Sequence, residues 1–353
     1  MREPAYIMTR MGVIMAPDPS EVNESLGVFN PGCARSRDGE LFLFPRLAAE
    51  GNYSRVGRAR VLFEGDAPVG VERLDVALEP DEVWERNAHT GGVEDPRVTF
   101  VEALDVYVMT YSAYGPLGSR VGLAFSRDLD KWERLGPAWF AYEPALAADL
   151  NLYPNKDAAI FPGPVIAPDG RLSIAVLHRP VWDLSWIRPG EGEPLPAGVD
   201  DPRPGIWISF APLDDVASDL RLLPRLSNHR CLALPEHPWE SLKIGSGPPP
   251  VRTRDGWLLI HHGVQGTLQR GLDHQPSVCY SAGALLLDLD DVTLVRSRTS
   301  EPLLSPETDD ERKGTVDNVV FPTAIDVRRD GELDVYYGMA DFKIGVARMR
   351  ALT

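Results

Sequence analysis

Arg37-Asp38-Gly39-Glu40-Leu41-Phe42-Leu43-Phe44 is an Asp-Gly turn running straight into an apolar strand. The same phrase returns, without the glycine, as Glu102-Ala103-Leu104-Asp105-Val106-Tyr107-Val108-Met109. It returns again at Pro168-Asp169-Gly170-Arg171-Leu172, at Arg254-Asp255-Gly256-Trp257-Leu258 and at Arg329-Asp330-Gly331-Glu332-Leu333. With Gly39, Asp105, Gly170, Gly256 and Gly331 as markers, the steps are 66, 65, 86 and 75 residues. Asp-Gly ahead of an alternating apolar run is a hairpin signal, because both residues tolerate the left-handed backbone of a tight turn. Further strand patterns follow, such as Val121-Gly122-Leu123-Ala124-Phe125-Ser126. Five sheet units of similar size predict an all-β chain, a five-bladed β-propeller with a central pit, over residues 1–353 as one domain. A two-sheet sandwich explains the recurrence less well. The long third step carries Arg188-Pro189-Gly190-Glu191-Gly192-Glu193-Pro194. This turn-rich stretch predicts an insertion at about 188–203, either a passive surface loop or a lid over the cleft.

Composition narrows the partners. The chain has 353 residues, 43% hydrophobic and 25% charged, enough for a large core. Its 31 glycines and 32 prolines favour short strands and many turns over long helices. A net charge of −16 argues against nucleic acid or an anionic membrane as a partner. An anionic substrate would have to be caught by a local group of cations. Cys33, Cys231 and Cys279 are odd in number, distant, and without Cys/His ligand spacing. They predict reduced thiols in a cytoplasm and no metal centre. Met1–Ser20 lacks the basic and apolar regions of a signal peptide. No apolar run approaches the ~18 residues of a membrane helix.

The chemistry-bearing residues cluster near the first strand of each unit. The first offers Asn30, Arg46, Tyr53 and Arg55; the second, Glu94, Asp95 and Arg97. The third offers Lys156, Asp157, His178 and Arg179; the fourth, Lys243, His261 and His262; the fifth, Asp317, Asn318 and Asp341. Singly, each has an ordinary explanation as a surface pair, core histidine or turn cap. Together, around one axis, they would make a sugar site with cations for an anion. In Gly91-Gly92-Val93-Glu94-Asp95-Pro96-Arg97, Pro96 is expected to push Asp95 into an extended conformation. Arg97 is expected to hold one carboxylate ionised while the other does proton chemistry. Ordinary glycoside hydrolysis needs two carboxylates with defined spacing. Here one carboxylate motif is clear, and Arg179, Lys243, His262 and Lys156 supply positive charge. An acid beside an anion cage fits phosphorolysis, in which bound phosphate is the nucleophile and no general base is needed.

These motifs resemble glycoside hydrolase family 130, the β-mannoside phosphorylases and related β-mannosidases. The resemblance rests on Phe29-Asn30-Pro31-Gly32, Gly92-Val93-Glu94-Asp95-Pro96-Arg97, Lys156-Asp157, His178-Arg179-Pro180, Trp239 with Lys243-Ile244-Gly245-Ser246-Gly247-Pro248-Pro249, His262-Gly263-Val264, Phe321-Pro322-Thr323 and Tyr337-Gly338 with Asp341. It implies a five-bladed propeller. It implies Asp95 as general acid, acting through the mannose 3-hydroxyl, and inversion to α-mannose 1-phosphate. By the same resemblance Arg179, Lys243 and His262 match phosphate ligands, with Lys156 a candidate fourth. Asn30, Arg46 and Asp341 match mannose contacts, and Glu94 and Asp157 complete the candidate substrate site. Phosphorylases of the family use a further arginine where this chain has Asn155-Lys156-Asp157. Hydrolytic members lack the phosphate cage, so an inverting β-mannosidase is the alternative, and a non-catalytic sugar-binding propeller the third reading. The expected partners are a β-mannoside oligosaccharide and inorganic phosphate as co-substrate, with no other cofactor; assembly into a homo-oligomer is compatible with the sequence.

Overall fold

The computed structural model describes residues 6–86, 90–184, 190, 194–267 and 277–351. Among them the chain is almost wholly β; the α-helices are Leu213–Ser218 and Asp309–Arg312. Each marked turn is followed by a strand: Leu41–Ala49, Val106–Gly115, Leu172–Pro180, Trp257–Gly266 and Leu333–Met339. The turn chemistry therefore located the strands correctly.

The strands fall into four sheets. In one, Gly27–Arg35, Leu41–Ala49, Tyr53–Glu64 and Ala67–Leu78 pair antiparallel in chain order. Gly91–Val101, Val106–Gly115, Gly118–Ser126 and Glu133–Pro137 do the same. A short parallel contact, Tyr53 with Gly91 and Ser54 with Gly92, joins these two runs into eight strands. Gly92 permits it: its φ is +136°, and a Cβ there would strike the Ser54 backbone. The second sheet contains Asn155–Ile160, Leu172–Pro180, Ile206–Pro212 and Arg225–Ala233, with Trp139–Phe140 added parallel at its outer edge. The third runs Lys243–Ser246, Trp257–Gly266, Val278–Leu287, Val295–Arg298. In the fourth, Val320–Val327, Leu333–Met339 and Lys343–Ala351 are completed by the N-terminal strand Tyr6–Met15.

Apolar side chains fill the spaces between neighbouring strand groups. Val98 and Met109 pack with Phe44 and Val56. Val108 and Leu123 pack with Val176 and Trp207. Leu177 and Ile208 pack with Ile244 and Leu259. Ile260 and Ala282 pack with Val320 and Val335. Tyr336 and Ile344 pack back on Val28 and Leu43. Each fully buried side chain of this size contributes about 1.5–3 kcal/mol, which is how short strands are held without long helices.

Residues 188, 189 and 191–193 of the expected insertion lie outside the described residues. Its remainder is tied down. Ala197 N donates to Leu146 O at 2.7 Å, Tyr153 Oη donates to Pro194 O at 3.1 Å, and Val199 is buried.

Candidate active site

The site begins with a repeated backbone irregularity. The first strand of three successive groups carries a bulge, between Phe29 and Gly32, between Glu94 and Arg97, and between Lys156 and Ala159. Inside each bulge one polar residue adopts a left-handed backbone: Asn30 at φ +46°, Asp95 at +48° and Asp157 at +54°. Asn and Asp tolerate this region better than other side chains, and a bulge re-aims the residue it contains. The expectation that Pro96 would hold Asp95 extended is overturned. The bulge prevails over the local preference of a residue preceding proline. Asp341 shares the left-handed backbone, at φ +49°.

Antiparallel pairing then sets the next strand's polar residues beside these. Arg46 lies opposite Phe29, Arg179 opposite Lys156, and His262 opposite Gly245. Arg46 is buried and holds the acidic pair: Nη2 donates to Glu94 Oε1 at 2.8 Å and Nη1 to Asp95 Oδ1 at 3.2 Å. Ser54 Oγ and Asn52 Oδ1 accept its other protons at 2.9 and 3.1 Å, and Phe29 lies beneath its guanidinium. Asn30 Nδ2 also donates to Asp95 Oδ1, at 2.9 Å. Burial works against the Arg46 charge, but Glu94, Asp95 and Asp341 outweigh it and hold the guanidinium above its ordinary value. Burial raises the Glu94 carboxyl, with Arg46 opposing and Asp95 adding to the rise.

Arg97 does not take the part expected of it. Its Nη1 donates to the backbone oxygen of Asp95 at 2.7 Å, Nε to Gly247 O at 3.2 Å and Nη2 to Ser246 O at 3.3 Å. It braces the acidic bulge against the Lys243–Ser246 strand, and Arg46 carries the carboxylates instead. The sequence offered no signal for this exchange, since Arg46 reaches Glu94 across 48 residues of chain.

A second buried cluster surrounds Asp157. Arg179 Nε donates to Asp157 Oδ2 at 2.6 Å, and His262 Nε2 lies 3.5 Å from the same oxygen. Burial alone would raise the Asp157 carboxyl; the fixed charges of Arg179 and Arg97 override it and hold it well below the usual carboxylate range. Burial drives His262 well below its ordinary value, helped by Arg179, Arg97 and Lys243, so the ring is neutral and its approach to Asp157 is not an ion pair. Among the described residues, neither His262 ring nitrogen has a hydrogen-bond partner. Gly245 lets this packing form: a Cβ there would run into Asp157 Oδ2 and the His262 ring.

Lys156, Arg179 and Lys243 line one cavity of about 770 Å³. Pro202 and Arg203, from the end of the expected insertion, form part of its wall with Tyr114 and Asp183. Lys243 Nζ lies 5.3 Å from the Tyr280 ring centre. Burial lowers its ammonium to about 8; Arg179 adds to the fall, and Asp157 and Asp341 oppose it. Asp341 links the two clusters, since it feels Arg46, Asp95, Glu94 and Lys156 and is itself felt by Lys243. Burial raises its carboxyl to about 7, with Asp95 and Glu94 adding to the rise and Arg46 and Lys156 opposing. The arrangement offers an acidic pair, a carboxyl poised near neutrality and a cationic cavity.

His178, in the motif with Arg179, has a different place. Asn155 Nδ2 donates to its Nδ1 at 3.0 Å; its Nε2 donates to Ser209 Oγ at 2.7 Å. Ser209 Oγ in turn meets His229 Nδ1 at 2.8 Å, and His229 Nε2 meets Ala141 O at 2.9 Å. This buried chain crosses four strands and supports the strands bearing Lys156 and Arg179. His261 is likewise structural, 2.8 Å from Glu240. Arg55 pairs with Glu79 at 2.7 Å, away from the acidic pair. Tyr280, which flanks His262 together with Phe321 of the Phe321-Pro322-Thr323 motif, escaped the sequence reading because nothing local marks an aromatic as a site wall. Among the described residues, no group of three or more His, Cys, Asp or Glu side chains is placed to hold a metal ion.

The family model described as beta-1,4-mannooligosaccharide phosphorylase, of glycoside hydrolase family 130, matches residues 2–352. A 1,2-beta-oligomannan phosphorylase of Thermoanaerobacter sp. (strain X514) is 34% identical over 260 residues, covering 72% of this chain and 67% of the relative. A beta-1,2-mannobiose phosphorylase of the same organism is 33% identical over 79% of this chain and 72% of its own. The solved structure of the beta-1,2-mannobiose phosphorylase from Listeria innocua, in complex with beta-1,2-mannobiose, superposes with a TM-score of 0.70 at 24% identity, over 97% of this chain and 96% of that one. At that identity the likeness speaks to the fold.

Proposed function

This chain belongs to glycoside hydrolase family 130, and we propose that it is an inverting phosphorylase of β-mannosides. The observation that carries the reading is the cavity shared by Lys156, Arg179 and Lys243, coupled electrostatically through Asp341 to the Arg46-held pair Glu94-Asp95. Around it we read the strand groups as the blades of one five-bladed propeller, since each group packs on the next and the last on the first.

In this reading a terminal mannose sits over Asn30, Arg46 and Asp341, with Glu94 and Asp157 on its polar surroundings. Phosphate rests against Lys243, Arg179, His262 and Lys156. Lysine supplies point charge and arginine a planar fork, so the pair suits a tetrahedral anion. A phosphate oxygen forms a bond to the anomeric carbon while the bond to the leaving oxygen breaks on the opposite face. The Asp95 proton passes to that oxygen, by way of the mannose 3-hydroxyl. The products are α-mannose 1-phosphate and a sugar one unit shorter. Inorganic phosphate is the only co-substrate the scheme requires. Free Cys33, Cys231 and Cys279 support a cytoplasmic setting. No described helix is long and apolar enough to cross a membrane.

One observation favours a second reading. Asp341, with its carboxyl near 7, could act as the base of an inverting hydrolase, which needs a carboxylate about 6.5–9.5 Å from the acid. A phosphate titration decides between them. Phosphorolysis requires the rate of β-mannobiose cleavage to vanish without phosphate and to saturate as phosphate is added. A rate independent of phosphate overturns it and supports hydrolysis.

A further inference from the structure

Beside the cationic cavity lies a separate groove of about 430 Å³. We infer that this groove binds the leaving-side sugar units of a β-mannooligosaccharide beyond the first, which stays in the cationic cavity, with Trp139 as their stacking platform. The inference rests on the phosphorylase reading: if one mannose leaves as its 1-phosphate, every other unit of the chain lies on the leaving side.

Position is the first argument. The turn Gly115-Pro116-Leu117-Gly118 is a rim common to both spaces, for Gly115, Pro116 and Gly118 line each of them. The segment 153–156 alternates in the same way. Tyr153 and Asn155 line the groove, and Pro154 and Lys156 line the cavity. A chain leaving the cavity across this rim enters the groove directly.

Chemistry is the second. Apart from Arg120, Asn151 and Asn155, the described residues that line the groove are apolar, aromatic or glycine, and no carboxylate is among them, which disfavours a cationic occupant. Arg120, the one cation among the described lining residues, already donates through Nη1 to Ser119 O and Tyr153 O, each at 3.1 Å, so a polyanion is poorly served. Trp139 is 59% exposed, Leu117 66% and Val83 77%, although all three line the groove. Exposed apolar surface of this kind, next to a catalytic cavity, marks a ligand groove. A β-mannopyranoside presents the axial hydrogens of C1, C3 and C5 on one face. That apolar disc stacks on an exposed indole while the hydroxyls stay in water.

The test compares kcat/KM for β-mannobiose and β-mannotetraose at saturating phosphate, in whichever linkage is turned over, for the wild type, Trp139→Ala and Trp139→Phe. The expected wild-type preference for the tetrasaccharide is about tenfold, the scale of one aromatic stacking contact. Trp139→Ala should bring the ratio close to one and leave the disaccharide within about twofold, and Trp139→Phe should restore part of the preference. A wild-type ratio of one, or a Trp139→Ala variant that leaves the ratio unchanged, overturns the inference while the phosphorylase reading stands. If neither sugar supports phosphate-dependent turnover, that reading fails instead, and calorimetric titration with β-mannotetraose then judges the groove alone: no binding overturns it. A wild-type dimer that dissociates in Trp139→Ala without a change of ratio would assign the groove to a second copy of the chain, and also overturns it.

Discussion

Arg179 Nε donates to Asp157 Oδ2 at 2.6 Å, with both side chains buried. The guanidinium that faces the cavity is thus aimed by a carboxylate set in a strained bulge. Breaking such a pair from one side leaves the other charge buried and uncompensated. Asp157→Asn keeps a residue that tolerates φ +54° and removes only the charge. It should destabilise the fold by about 3 kcal/mol near neutral pH, read by urea unfolding. The sign with pH follows from the depressed carboxyl: its contribution is present above the unfolded value near 4 and lost on acidification. The difference between wild type and variant should therefore narrow below about pH 4. Equal stability of the two proteins at pH 7 would show that the pair does not hold the site.

Asp95→Asn is expected to fold normally, because asparagine also accepts a left-handed backbone and Arg46 keeps Glu94. Turnover of β-mannobiose should fall by about 10³-fold, the scale of a lost general acid. With 4-nitrophenyl β-mannoside, whose leaving group needs no proton, the loss should be far smaller. A uniform loss on both substrates would remove Asp95 from the acid role.

Lys243 is held at about 8, so its charge is present below that pH and disappears above it. Inhibition by sulfate, which does not titrate in this range, should weaken as pH rises through about 8. Lys243→Arg should bind sulfate without that limb. The lowered value also means that the charged form is disfavoured by the fold below pH 8. Lys243→Met should therefore raise stability at pH 7 by on the order of 1 kcal/mol while phosphate use collapses. Sulfate inhibition that stays flat to pH 10 in the wild type would contradict the assignment.

Gly245→Ala tests the packing between the two clusters. A methyl group there meets Asp157 Oδ2 and the His262 ring, both held by buried neighbours. The expected result is a loss of about 1–3 kcal/mol in stability and a higher KM for phosphate, with KM for the sugar less affected. Unchanged stability and phosphate KM would mean that the cluster yields easily.

What the sequence disclosed was local. Asp38-Gly39 and its counterparts marked strand starts because turn conformation is set within a few residues. The polar residues at strand ends were also visible, and Asn30, Arg46, Glu94, Asp95, Lys156, Asp157, Arg179, Lys243, His262 and Asp341 fall in two coupled clusters. What stayed hidden was fixed by distant contacts. Pro96 argued for an extended Asp95, but the mismatch with Thr110 and Ser112 on the next strand created a bulge. The contact of Ser54 with Gly92 merged two expected units into one eight-stranded sheet. The chain from Asn155 through His178 and Ser209 to His229 joins residues that no spacing rule connects.

The most direct measurement is a ³¹P NMR time course of the protein with β-mannobiose and inorganic phosphate. The account predicts that orthophosphate falls while α-mannose 1-phosphate rises in equal amount, with one free sugar released per ester formed. An orthophosphate signal that stays constant while mannose accumulates, or a β-configured ester as the first product, would contradict it.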